Sequence, residues 1–132
     1  MARRQTQLDE QHALSLEIPC DPGYLVTARL FAAAAARRFG IDEETIEDIK
    51  LAVSESCTGA IGGQNVDSAG TLLLEIWPSG DRIVFRLRSV GPIVLELPVG
   101  EGLLRALFGD VRVESTPSGG NSVIFSVAHL PG

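Results

Sequence analysis

Leu72-Leu73-Leu74-Glu75-Ile76-Trp77-Pro78-Ser79-Gly80-Asp81-Arg82-Ile83-Val84-Phe85-Arg86-Leu87 reads as two strands joined by a turn. Successive side chains of a strand point to opposite faces. Leu72, Leu74 and Ile76 therefore share one face of the first strand, and Ile83, Phe85 and Leu87 share one face of the second. Pro78-Ser79-Gly80-Asp81 supplies the turn residues of a hairpin. Each strand has one apolar face and one mixed face. Strands of this kind build an open, largely antiparallel sheet covered on one side, whereas a doubly wound parallel sheet wants continuous apolar strands.

The flanking segments agree. Upstream, Leu14, Leu16 and Ile18 alternate as in a half-buried strand. Asp21-Pro22 then opens a helix, with Asp21 as the cap and Pro22 at the first helical position. It passes through Tyr24, Leu25, Ala28, Arg29, Phe31 and the alanine run 32–36 to Arg37-Arg38, and Gly40 stops it. Asp42 opens a second helix, with Glu43 and Glu44 on its positive end. Ile46, Ile49, Val53, Cys57 and Ala60 form its apolar stripe, and Gly62-Gly63 ends it. Downstream of the hairpin, Ser89–Pro98 reads as irregular. A short helix follows Gly100-Glu101-Gly102 through Leu103, Leu104, Leu107 and Phe108. A second hairpin closes the chain. Val111 and Val113 point inward on one strand and Val123, Phe125 and Val127 on the other, around Ser118-Gly119-Gly120-Asn121. The order β-α-α-β-β-α-β-β predicts a two-layer α/β (α+β) sandwich: a mixed, largely antiparallel sheet with about three helices on one face.

Composition narrows the function classes. The chain has 132 residues, one domain's length, with 45% hydrophobic and 21% charged residues, which excludes a disordered chain. Residues 1–11 read as a frayed tail and 12–132 as a single domain. Met1–Gln7 carries positive charge but no apolar stretch after it, unlike a signal peptide. No apolar run reaches the roughly 20 residues of a membrane span. The formal net charge of −6 opposes binding to phosphate backbones, so direct nucleic-acid binding is not expected. Cys20 and Cys57 form no CxxC pair, and His12 and His129 lie near opposite ends. No zinc site is expected, and two unpaired thiols fit a reducing cytoplasm.

Two features could carry chemistry. Glu55 and Gly59 lie one turn apart on one side of the second helix, and at about 100° per residue Glu55 points away from Val53 and Ile46. Glu55 is either a solvated surface residue or a general base facing a ligand layer. Gly91 follows a strand, and Gly100 and Gly102 bracket Glu101 before a helix. Such glycines are either loop and capping residues or an anion-binding helix start.

The order of elements and the second helix resemble the anti-sigma-factor serine kinases of the bacterial GHKL (histidine-kinase-like) ATPase superfamily. Asp48-Ile49-Lys50-Leu51-Ala52-Val53-Ser54-Glu55-Ser56-Cys57-Thr58-Gly59-Ala60-Ile61 is similar to the family's N-box helix, which ends Ser-Glu and then Cys-Thr-Asn-Ala. Tyr24 and Arg29 sit where the family tends to carry such residues. Gly100-Glu101-Gly102-Leu103-Leu104 resembles its second glycine box. Phe108-Gly109-Asp110-Val111 resembles the entry to the next strand, and Gly120-Asn121-Ser122-Val123 its Gly-Thr-x-Val box. The likeness spans roughly residues 12 to 128.

The resemblance implies a histidine-kinase-like ATPase fold with ATP between helix and glycine loops. It implies a protein that binds a sigma factor and phosphorylates a serine of an anti-anti-sigma partner, and that often pairs as a homodimer. It places Glu55 as the catalytic base. It places Gly59, Ser89, Gly91, Gly100, Gly102, Leu103, Gly120 and Ser122 at the nucleotide. An asparagine one turn after the glutamate holds Mg²⁺ in the family, and an Asp-x-Gly aspartate accepts from the adenine amino group. Here those positions are Gly59 and Ser89, and Ser89-Val90-Gly91 replaces the Asp-x-Gly box. Pro92–Pro98, at the lid position, is apolar: either a plug over the nucleotide cleft or plain core. Three functions follow as alternatives. One is an anti-sigma-like binding protein that has lost some or all nucleotide chemistry. Another is an active ATP- and Mg-dependent serine/threonine kinase with Thr58 or Asn65 replacing the metal ligand. The third is a metabolic or structural domain that shares only the sandwich.

Overall fold

The computed structural model describes residues 13–62, 70–90, 100–115 and 121–128. The expected tail, residues 1–11, lies outside them. Strand β1 (Leu14–Pro19) comes first. The Asp21 carboxylate then accepts a hydrogen bond from the Gly23 amide at 2.8 Å. Asp21 caps as expected, but it caps a single 3-10 turn, Pro22–Tyr24; helix α1 (Leu25–Arg38) begins only after it. Helix α1 ends on a left-handed glycine, Gly40, at φ 77°. The Gly40 amide donates to the Arg37 carbonyl and the Ile41 amide to the Ala36 carbonyl, each at 3.0 Å. This is the Schellman closure, and Ile41 is buried beside it.

Helix α2 (Glu43–Gly62) starts at Asp42. The Asp42 carboxylate accepts from the Thr45 amide at 3.1 Å and the Thr45 hydroxyl at 2.7 Å. Those bonds hold the Asp42 carboxyl below its usual range. Ala28, Ala32, Ala33, Ala35 and Ala36 of α1 are buried, and their small side chains let α1 lie close against α2.

The remaining elements are β2 (Thr71–Ser79), β3 (Arg82–Val90), α3 (Gly100–Phe108), β4 (Val111–Ser115) and β5 (Asn121–Ala128). The strands form one sheet in the order β1-β2-β3-β5-β4. Every neighbouring pair is antiparallel, which corrects the expectation of a mixed sheet. The connection through α3 does carry the chain between two strands of like direction, β3 and β4. The closing hairpin inserts β5 between them, so they never pair.

Ile18, Leu72, Leu74, Ile76, Ile83, Phe85, Leu87, Val111, Val123, Phe125 and Val127 cover one sheet face and share a core with Ile46, Ile49, Val53 and Cys57 of α2 and Leu104 of α3. The helices lie on that side, as the strand pattern requires. Phe85 and Phe125 face each other across β3 and β5 with rings stacked at 5.0 Å, and Phe108 of α3 stacks on Phe125 at 4.6 Å. Three details differ from expectation. Strand β3 runs on through Ser89 and Val90, which the sequence reading treated as irregular. The first turn narrows to Gly80-Asp81, because Pro78 and Ser79 pair with Ile83 and Arg82, and Gly80 takes φ 61°. Val113 shares the face of Val111 but is 39% exposed, because β4 is the sheet edge.

The opposite sheet face holds a charged cluster. The Glu75 carboxylate accepts from Arg86 Nε at 3.0 Å, Arg86 Nη2 at 3.2 Å and Arg88 Nε at 3.0 Å. The Arg86 guanidinium also lies 4.9 Å from the ring centre of Trp77. Burial pushes the Glu75 carboxyl up, but the hydrogen bonds and charges of Arg86 and Arg88 outweigh it and leave it below the usual range.

Two outcomes are expected. Phe85→Ala removes one end of the ring stack at a fully buried position and should cost about 3–5 kcal/mol in urea unfolding. A lowered native carboxyl stabilises the fold at pH above its unfolded value, and that contribution is lost as pH falls through the native value. The stability difference between wild type and Glu75→Gln should therefore be largest at neutral pH and shrink on acidification below about 4.5. A difference that grows on acidification would contradict the network.

Candidate functional site

Helix α2 carries the central candidates. Glu55 is half-buried, between Ser54 (half-buried) and Ser56 (buried), and its carboxylate has no ion pair or hydrogen bond among the described residues. It is therefore not the fully solvated residue that one reading of the sequence allowed. The helix is buried over a wide arc here, since Ala52, Val53, Ser56 and Cys57 are all inaccessible. Gly59 lies one turn beyond Glu55, about 6 Å along the axis.

Ser89 is the second-last residue of β3 and lies opposite Leu72. Alternation puts it on the same face as Phe85 and Leu87, towards the helices. Its hydroxyl is buried and has no hydrogen-bond partner among the described residues. The same holds for Ser54 of α2, which the sequence reading did not single out. Nothing in its residue type marks it. Ser56, on the same helix, donates to the Ala52 carbonyl at 2.8 Å, the ordinary solution for a helical serine.

Gly100 and Gly102 fall in the first turn of α3, inside the helix rather than before it. A Cβ built at Gly102 meets nothing within 4 Å, so packing does not demand glycine there. Leu103 is half-buried. Ser122 pairs with Arg88 and is buried, on the face turned away from the helices, because Val123 takes the core side. The structure thus puts Glu55, Gly59 and Ser89 on the two layers that face each other, while the Ser122 side chain points to the other side of the sheet. Gly91, Gly120, Asn65 and the lid segment 92–98 lie outside the described residues. Thr58 is exposed.

A magnesium ion takes oxygen ligands in a tight octahedron. Gly59 offers none, and no three His, Cys, Asp or Glu residues gather to hold a metal among the described residues. Gly59 therefore does not fit the cation. A nucleobase is different, because Ser89 presents a buried polar atom that lacks a partner. A separate cavity of about 210 Å³, lined by Thr45, Asp48, Arg82, Phe108 and Ser126 among others, lies at the opposite end of β3, roughly 23 Å along the strand from Ser89.

Two thiols lie near each other at the core, Cys57 within it and Cys20 packed against it. Burial pushes the Cys57 thiol up to about 12, and neighbouring Cys20 adds to the shift. Cys20 is raised as well, by burial first and then by Asp21. Both cysteines are free. No helix among the described residues is long and apolar enough to cross a membrane.

Comparison with known proteins adds the following. The family model of the histidine kinase-like ATPase domain matches residues 18–127. A serine-protein kinase RsbW of Oceanobacillus iheyensis is 28% identical over 124 residues, covering 77% of this chain and 78% of the relative. The RsbW of Bacillus thuringiensis (strain Al Hakam) is 27% identical over 121 residues, with 76% of each chain covered. Among solved structures, the RsbU and RsbW domains of Rv1364c from Mycobacterium tuberculosis match with a TM-score of 0.68 at 19% identity. The match covers 87% of this chain and 32% of that one, and at such identity it shows the fold alone.

A thiol held protonated in the core does not alkylate. Iodoacetamide at pH 8 should modify Cys20 on the folded protein and leave Cys57 untouched, with both labelled in denaturant, as read by peptide mass. Equal labelling of both in the fold would show α2 opening.

Proposed function

Because the chain belongs to the histidine kinase-like ATPase domain family, we propose that it is an anti-sigma-factor-like regulatory protein that binds a sigma factor or an anti-anti-sigma factor, with nucleotide binding weakened or lost. One observation carries this reading: Gly59 leaves bare the position one turn beyond Glu55, and no three His, Cys, Asp or Glu residues gather to hold a metal among the described residues. Phosphoryl transfer depends on neutralising phosphate charge as the bond breaks, so a site without a cation anchor loses the largest contribution to that reaction. No transfer step is assigned to Glu55 on this reading. The scaffold survives with its core intact, and binding another protein needs only that scaffold and a surface.

The two free thiols support a reducing compartment, so the protein acts in the cytoplasm. Strands β1 and β4 are the sheet edges, and an open edge supports pairing as a homodimer. The second reading is an active ATP-dependent serine/threonine kinase. It is favoured by the half-buried, unpaired Glu55 and by the serine-protein kinase relatives.

Calorimetry with Mg·ATP separates the two. The binding-protein reading expects no magnesium-dependent heat at up to about 1 mM nucleotide, and Gly59→Asn should gain such binding. Submillimolar, magnesium-dependent affinity in the wild type would favour the kinase. Affinity purification from the source cell should recover a sigma factor or a small anti-anti-sigma protein, and recovery of neither would sink the binding-protein reading.

A further inference from the structure

The cavity of about 210 Å³ lies where the start of α2, the end of α3 and the ends of β3 and β5 meet. Glu55, Gly59 and Ser89 take no part in its lining. Its polar groups are sorted by wall. On the α2 side, Thr45 and Asp48 stand three residues apart on one face of the helix. The Thr45 hydroxyl gives its proton to Asp42 at 2.7 Å, so towards the cavity it accepts. A carboxylate such as Asp48 also accepts, and Asp48 makes no ion pair or hydrogen bond among the described residues.

On the strand side the polar groups donate. Arg82 gives Nε–H to Ser126 Oγ at 2.6 Å and Nη2–H to the Ser126 carbonyl at 3.0 Å. Those bonds fix the guanidinium in place and leave its remaining N–H groups for a ligand. The Ser126 hydroxyl, having accepted from Arg82, keeps its own proton to donate. Leu107 and Phe108 of α3 add an apolar part to the lining, and the stack on Phe125 holds Phe108 in place.

Asp48 and Arg82 thus share one small cavity with opposite charges and form no ion pair with each other. A lone anion there would meet the Asp48 carboxylate, and a lone cation the Arg82 guanidinium, so each is opposed by one wall. A ligand that carries both charges satisfies both walls. We propose that this cavity binds a free α-amino acid with a small apolar side chain. Asp48 and Thr45 hold its ammonium, Arg82 and Ser126 hold its carboxylate, and the side chain lies against Leu107 and Phe108. A guanidinium presents parallel N–H groups that suit a carboxylate. The size agrees: pockets for drug-sized ligands run to roughly 300–1,000 Å³, and this one, at about 210 Å³, suits an amino acid and is too small for a nucleotide.

The test titrates L-valine into the full chain at pH 7, read by amide chemical shifts. The controls are 3-methylbutanoate, which lacks the ammonium, and isobutylamine, which lacks the carboxylate. L-Valine should bind with Kd of about 1 mM, and each control at least about tenfold more weakly. The Thr45, Asp48, Phe108 and Ser126 amides should shift, and those of Glu55 and Ser89 should not. Asp48→Asn, at a position with no partner to lose, should weaken L-valine about tenfold and leave 3-methylbutanoate binding at least as well as before. General damage to the cavity would weaken both ligands, so that split identifies the ammonium contact. If the variant does not fold, the three ligands on the wild type decide by themselves. No shift at about 20 mM L-valine overturns the proposal. So does equal binding of L-valine and 3-methylbutanoate, a response confined to Glu55 and Ser89, or an Asp48→Asn chain that binds L-valine like the wild type. None of these outcomes touches the partner-binding reading, which stands or falls on the recovered protein partner.

Discussion

One constraint organises this molecule: five antiparallel strands present a single apolar face, and that face must be covered. Helix α2 does most of the covering. Ile46, Ile49, Val53 and Cys57 lie on it in one line and are buried to within a few per cent. The Phe85–Phe125–Phe108 stack then ties α3 to the middle of the same face, so both site helices are anchored through the core and not through loops. Burial of apolar surface at this density is the main favourable contribution to folding, and it fixes where Glu55 and Gly59 can be.

The same helix therefore has a side that packs on the sheet and a side that carries the candidate site residue Glu55. Substitution on the Ile46–Cys57 line disturbs packing. Glu55 is half-buried and makes no ion pair or hydrogen bond among the described residues, so its substitution breaks no such partner. On the proposed reading, that division is how the chain keeps the family's fold over residues 18–127 while carrying glycine at position 59. The orphan hydroxyls of Ser54 and Ser89 cost the fold part of its net stability, a cost that the core outweighs.

The other sheet face is held by a different kind of interaction. Glu75 binds two arginines, and one of them also covers Trp77. These groups are only half-buried, so water screens them, and their contribution is orientation more than stability. The arginine stems keep the indole out of water on a face that no helix covers among the described residues.

Sequence alone determined the layer architecture, because strand alternation in Leu72–Leu87 and helical spacing in Ile46–Cys57 are local consequences of backbone geometry. It also determined the caps at Asp21 and Asp42 and the Gly40 stop, which depend on neighbouring amides only. It placed Glu55 on the side of α2 opposite the core stripe. Tertiary structure decided what depends on partners distant in sequence. The purely antiparallel sheet comes from β5 inserting between β3 and β4. The exposure of Val113 comes from β4 being an edge, and the half-burial of Glu55 comes from the layers around it. The unpartnered hydroxyls of Ser54 and Ser89 are of the same kind. A hydrogen bond that is not made leaves no periodicity to read, since whether a buried oxygen finds a donor is settled only when two layers close on each other.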